Sequence, residues 1–180
     1  MNLYNFHSKP ESLLQYTTMS ETNPHIFWEK YKNSPEELKK REKYIVRDPE
    51  YAYLYALDVL KFGQFPAGEA AIAKDAKYAY LYAKDILASP FPAGEAIIAK
   101  NAYYASHYAR GVLKKPFPAG EAAIAQDARY AYAYAHSVLK GPFPAGEEAI
   151  SKDQVSAYWY AKDVLKADFY LDGKLIAKAE

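Results

Sequence analysis

Cysteine is absent from the 180 residues. No disulfide framework, thiolate metal site or cysteine nucleophile can therefore be built. An excess of charge of one sign is also missing: 23 Lys+Arg stand against 22 Asp+Glu, a formal +1. Such a balance exerts no bulk pull on nucleic acid or on an anionic membrane surface. No run approaches the roughly 20 apolar residues that span a bilayer. The opening MNLYNFHSKPES lacks a basic segment followed by an apolar one, so it does not read as a secretory signal, and no Asn-x-Ser/Thr acceptor occurs. A cytoplasmic chain without membrane contact is the expectation. What is present in quantity is tyrosine, 19 residues, within a composition that is 51% hydrophobic and thus unlike a disordered chain.

Internal repetition decides the architecture. Phe65-Pro66-Ala67-Gly68-Glu69 returns at Phe91, Phe117 and Phe143, each time after 26 residues, and the units at Phe65 and Phe117 share 18 of 26 positions. A looser unit precedes them, keeping Glu42, Ile45, Asp48 and Tyr51-Ala-Tyr-Leu-Tyr-Ala56. A truncated one follows from Phe169, keeping Gly173, Ile176 and Ala177. The expected fold is all-α: an α-solenoid of 26-residue two-helix repeats with a helical N-terminal cap. Its divisions are a cap over 1–37, an array over 38–168 (units 38–64, 65–90, 91–116, 117–142 and 143–168) and a partial capping repeat over 169–180.

Each unit reads as two helices. The first lies within PAGEAAIAK, with proline pre-set for the opening turn and glutamate at the positive end of the dipole. The second starts at an N-cap, Asp48, Asp75, Asn101, Asp127 or Asp153. It runs about 13 residues and stops before Pro90, Pro116 or Pro142, with Gly141 suited to a C-terminal cap. The alternation in YAYLYA resembles a strand, but the N-caps and the apolar spacing onward to Ile86 and Leu87 argue for helix. Ala79, Tyr82, Ala83 and Ile86 share one face and form the core stripe. Tyr78 and Tyr80 flank it and should meet neighbouring units, with tyrosine hydroxyls at the rim. In the front segment, Ser8 to Glu11 and Ser34 to Glu37 read as capping boxes, and Asn23-Pro24 as a helix start.

FWEKYKNSPEELKKREKYI and YAYLYALDVL, followed by FPAGEAAIAKDAKYAYLYA units, resemble a group of uncharacterised tailed-bacteriophage proteins with tandem FPxGExxIAxDxxYAYxYA repeats. The resemblance implies a viral protein made inside a bacterial host. It carries over no catalytic residue. Departures from the pattern are Ser106, His107 and Gly111 in one unit, and Gln154, Val155 and Trp159 in another.

Chemistry is hard to assemble from what recurs. Walker, GxGxxG, HExxH and EF-hand spacings are missing, and no cofactor is expected. Glu69, Glu95, Glu121 and Glu147 are equivalent to one another, which suits a dipole and backbone role better than an acid pair in two environments. His107 and His136 lie on neighbouring second helices without a third metal ligand. His7, His25 and Glu29 are the titratable residues of the irregular front. Asp168…Asp172-Gly173 is too short for a calcium loop.

Variation among near-identical units is more informative. Core positions repeat, whereas outward positions of the second helix do not: Lys77, Leu81 and Lys84; then Tyr103, His107 and Arg110; then Arg129 and His136; then Trp159 and Lys162. This surface is basic with aromatic insertions, the residue types that dominate binding hot spots; drift on a solvated face would also vary. The expected function is a non-enzymatic scaffold engaging a host protein, a defence protein being the natural target. The alternatives are sequestration of a nucleotide-like or other small anion, and a virion or assembly component acting through self-association. Nucleic acid is not an expected partner, since no RNA-binding signature accompanies the lysines and arginines.

Overall fold

The computed structural model describes residues 22–180. The chain is an all-α solenoid of stacked helix pairs, closed by one small hairpin. First helices span Pro66–Ile72, Pro92–Ile98, Pro118–Ile124 and Pro144–Ser151, each with proline in its opening turn. Second helices begin at Pro49, Ala76, Ala102, Ala128 and Gln154. The five expected N-caps are all used: Asp48, Asp75, Asn101, Asp127 and Asp153 accept backbone N–H groups. No helix among the described residues is long and apolar enough to cross a membrane.

The sequence leads one to expect α-helix throughout the second helices, and the structure departs from this. Each widens into a π-helix at or just after the central tyrosine: Tyr55–Val59, Tyr82–Leu87, Ala109–Leu113, Ala135–Leu139 and Tyr160–Leu165. In the last four, the end is sealed by two N–H groups converging on one alanine carbonyl. Ala88 and Ser89 donate to Ala83 O, and Lys140 and Gly141 donate to Ala135 O. The reversal is made by a left-handed residue that is not glycine: Ala88, Lys114, Lys140 or Lys166. The expected cap Gly141 sits one position beyond Lys140, which takes that role.

The core stripe is as expected. Ala79, Tyr82 and Ala83 and their counterparts Ala105, Tyr108 and Ala109 are fully buried. The tyrosine hydroxyls of this stripe, however, are internal rather than at the rim. Phe65 N–H donates to the Tyr82 hydroxyl (2.8 Å), which donates to Glu69 Oε1 (3.0 Å). The same chain runs Phe91–Tyr108–Glu95, Phe117–Tyr134–Glu121 and Phe143–Tyr160–Glu147. Tyr55 keeps the carboxylate half, donating to Glu42 (2.9 Å). The recurrent glutamates therefore serve as acceptors for tyrosine as well as sitting in a first helical turn. Each of these rings also packs on the phenylalanine of the next unit, Tyr82 on Phe91 and Tyr134 on Phe143, both at 5.3 Å between centroids.

Glycine is required where first and second helices cross. A Cβ on Gly120 would stand 2.6 Å from the Phe117 ring and 2.8 Å from Ala105 Cβ in the preceding unit. The alanine of the core stripe and the glycine of PAGE are therefore one contact.

The front residues fold as Pro24–Tyr31, Pro35–Lys39 and Glu42–Ile45. Asn23 caps the first of these through its side chain. The expected capping box at Ser34 does not form: Ser34 stands at the second helix start without a side-chain cap bond, and Glu37 pairs with Lys40 and Arg41. Phe27 and Trp28 are buried, and Trp28 and His25 pack on Tyr51, covering that end of the array. The capping box at Ser8 lies outside the described residues, as does His7. At the other end Phe169 fills its slot against Tyr160 (5.2 Å), but the expected partial repeat is not helical. Phe169–Leu171 (β1) pairs antiparallel with Lys174–Ala177 (β2). Tyr170, Asp172 and Gly173 replace the helix-starting proline and its neighbours. Asp172-Gly173, both with positive φ, is a hairpin turn.

Two outcomes follow. Gly120→Ala should destabilise by about 1–3 kcal/mol through overpacking, read by urea unfolding. Burial, with the adjoining carboxylate, pushes Tyr82 up to about 12 and raises Tyr108, Tyr134 and Tyr160 as well. A raised folded-state value means the neutral hydroxyl stabilises the fold below the ordinary tyrosine range near pH 10. Above it the unfolded chain sheds protons that the folded one retains, so stability falls between about pH 10 and 12. Tyrosinate absorbance from these rings should appear together with loss of helical circular dichroism, not before it.

Candidate binding face and the gap at Gly111

Consecutive second helices pack side by side, so their outward positions form one row. Lys77, Lys84, Tyr103, Arg110, Arg129, His136, Trp159 and Lys162 are exposed, while Leu81 and His107 are half-buried. Tyr103 and Trp159 are large aromatics with 42% and 41% of their surface open.

A second ladder, beside the core, holds this row in place. Tyr53 of one unit packs on Tyr78 of the next at 5.9 Å and 38°, and Tyr80 packs on Tyr104 with the same distance and angle. The next rung would need a tyrosine at position 106, where Ser106 stands, buried. Tyr103 and His107 occupy the space instead. They stack on one another at 4.1 Å, His107 Nδ1 lies 2.8 Å from Tyr103 O, and both rings approach Tyr130. Three departures from the repeat, Tyr103, Ser106 and His107, are thus one local rearrangement.

Other candidates remain separate. Trp159 contacts Tyr158 and Lys162 within its own unit, with no ring contact to the Tyr103 cluster. His136 faces Tyr132. Arg129 lies over Tyr130, and Lys77 over Tyr78. Among the described residues no group of three His, Asp or Glu is placed to hold a metal ion. In the front segment, His25 Nδ1 lies 2.6 Å from the Tyr51 hydroxyl and Glu29 pairs with Lys32.

Sequence reasoning missed what the ladder hydroxyls do. Tyr53 donates to Asp85 Oδ2 in the next unit (3.1 Å), and Tyr132 donates to Asp163 Oδ2 (3.1 Å). Burial and the Asp85 carboxylate push Tyr53 up to about 12. The residue that would serve Tyr80 in this way is Gly111. Tyr80 is 8% exposed and its hydroxyl donates to no acceptor among the described residues. A Cβ on Gly111 would meet nothing within 4 Å. The gap is a pocket of about 240 Å³ lined by Ala83, Lys84, Ala88, Gly111, Val112 and Lys114. A signal existed in the sequence: aspartate at 85 and 163, with glycine and serine at the two equivalent positions between them.

A somewhat larger pocket, about 310 Å³, lies between the units at Phe117 and Phe143. Its charged side chains are already engaged: Asp127 and Asp153 accept N–H groups as N-caps, and Glu148 pairs with Lys152 at 2.7 Å. The Gly111 gap is the better candidate site because the hydroxyl of Tyr80, one turn before Lys84 of its lining, is unspent.

A pair of variants separates the two kinds of ladder hydroxyl. Tyr53→Phe deprives Asp85 of its donor and should cost about 1.5–3 kcal/mol, whereas Tyr80→Phe should be close to neutral, as measured by urea unfolding. No protein-family model matches the chain, and neither a curated protein nor a solved structure does.

Proposed function

We propose that this chain is a non-enzymatic helical-repeat binding protein, encoded by a bacteriophage, that engages a protein of the infected bacterial cell and inhibits or redirects it. The observation carrying this reading is the division of labour among the units. The central tyrosines and first-turn glutamates that recur are spent on joining the two helices of each unit, and the same rings pack on the next unit. The residues that differ between units, above all Tyr103, Arg110 and Trp159, are exposed in one row. Aromatic residues and arginine give the most contact energy per residue in protein interfaces.

A second reading, binding of a nucleotide-like or other small anion, is favoured by the cations at the Gly111 gap. Lys114 lines it and Arg110 adjoins it, and neither has an acidic partner within ion-pair distance among the described residues.

Affinity capture from a bacterial lysate tests the first reading. The wild-type chain should retain a protein that the combined Tyr103→Ala, Arg110→Ala and Trp159→Ala variant loses by at least about tenfold, with the variant still helical. Equal recovery by both would show that the working surface lies elsewhere.

A further inference from the structure

We propose that the gap at Gly111 is a binding slot for an oxyanion, a carboxylate or a phosphate group, which takes the place of the aspartate found there in other units. Where the next unit supplies aspartate, the ladder tyrosine donates its hydroxyl to that carboxylate, at Tyr53–Asp85 and Tyr132–Asp163. Tyr80 is held by the same ring contact, at the same distance and angle, as Tyr53. Its hydroxyl therefore points at the place where the missing carboxylate would stand. That place is open, since nothing lies within 4 Å of a Cβ built on Gly111. No buried side-chain oxygen or nitrogen lacks a partner among the described residues, so the Tyr80 oxygen is reached by solvent.

The surroundings have the sign an anion requires. Lys84, one helical turn from Tyr80, and Lys114 line the pocket. Arg110 precedes Gly111, and both Lys84 and Arg110 act electrostatically on the Tyr80 hydroxyl. Asp85 pairs with Lys84 at 3.3 Å and accepts from Tyr53, so it is turned to the preceding unit and only partly offsets the cations. Two ammonium groups lining a space of side-chain size, with a hydroxyl donor and a guanidinium on the adjoining helix turns, are the groups that recognise a carboxylate or phosphate. The inference rests on the binding reading above in taking this row as the working surface, and it adds the chemistry of what binds there.

Gly111→Asp is the informative substitution. Gly111 does not need a left-handed backbone, and the space accepts the side chain. Thermal unfolding of the wild-type and variant chains is followed in inorganic phosphate and in succinate, with chloride holding the ionic strength constant. Either anion alone should raise the wild-type Tm by roughly 3–6 °C at ten times its half-saturating concentration. Gly111→Asp should melt higher than wild type without added anion and show no further rise. Tyr80→Phe should fold normally and bind the anion about tenfold more weakly. A response to phosphate alone marks a free phosphate-bearing ligand, and a response to succinate marks a carboxylate, as from an acidic side chain of a partner. No wild-type response to either anion, or equal responses in wild type and Gly111→Asp, overturns the slot. Lysate capture reports on the face independently: retained capture with no anion response rejects the slot alone, and lost capture with an intact anion response rejects the protein partner alone.

Discussion

The hydrogen-bond chain from phenylalanine N–H through tyrosine hydroxyl to glutamate carboxylate is the interaction on which the rest of the structure depends. It solves a problem the repeat creates for itself. Filling the interior with tyrosine supplies large rings for packing but also buries one hydroxyl per unit, and an unpaired buried hydroxyl is costly. Here the hydroxyl accepts from the N–H at one end of the first helix and donates to a carboxylate one turn later. It therefore fixes the first helix against the second at two points. The same ring then packs on the next phenylalanine, so one side chain sets both the geometry inside a unit and the spacing between units. The close crossing of alanine and glycine is the steric counterpart of that arrangement.

Against so regular a frame, the unit at Phe91 is conspicuous. It lacks the ladder tyrosine at Ser106 and the ladder acid at Gly111, and it adds Tyr103, His107 and Arg110 around those losses. Tyr103 and His107 restore ring contact to Tyr130, so packing is kept. Nothing restores the acid. The net effect is local: an acceptor is removed while neighbouring cations stay. A chain with a formal charge of only +1 thereby acquires a basic spot without a basic composition.

Much of this was legible from the residues alone. A 26-residue recurrence with N-cap aspartates admits little besides paired helices, and the alanine–tyrosine stripe identified the core. The less legible parts are those where backbone conformation is decided by contacts between units. The π-helical turns occur in stretches such as AKDIL and AHSVL that carry no proline or glycine within them, so local propensity favours an ordinary α-helix there. Lysine at a left-handed position is likewise invisible to a rule that looks for glycine. The C-terminal hairpin was legible in principle through Asp172-Gly173, but the retained Phe169 and Ile176 argued for another helix. At the candidate site, the exposed aromatics and cations were found because they vary. The role of Gly111 was not, because its meaning lies in a tyrosine one unit earlier.

The two bonds of the phenylalanine–tyrosine–glutamate chain close short stretches of sequence, 17 and 13 residues, and do so identically from unit to unit. Contacts this local make ordering rapid, and equivalent ones let it begin in any of the complete units and spread to its neighbours. Folding of such a chain resembles the closing of a zip more than the collapse of a globule. In the outer ladder the interval between Tyr80 and Gly111 keeps the rings without the tyrosine–aspartate bond, whereas the central chain through Tyr108 is complete there.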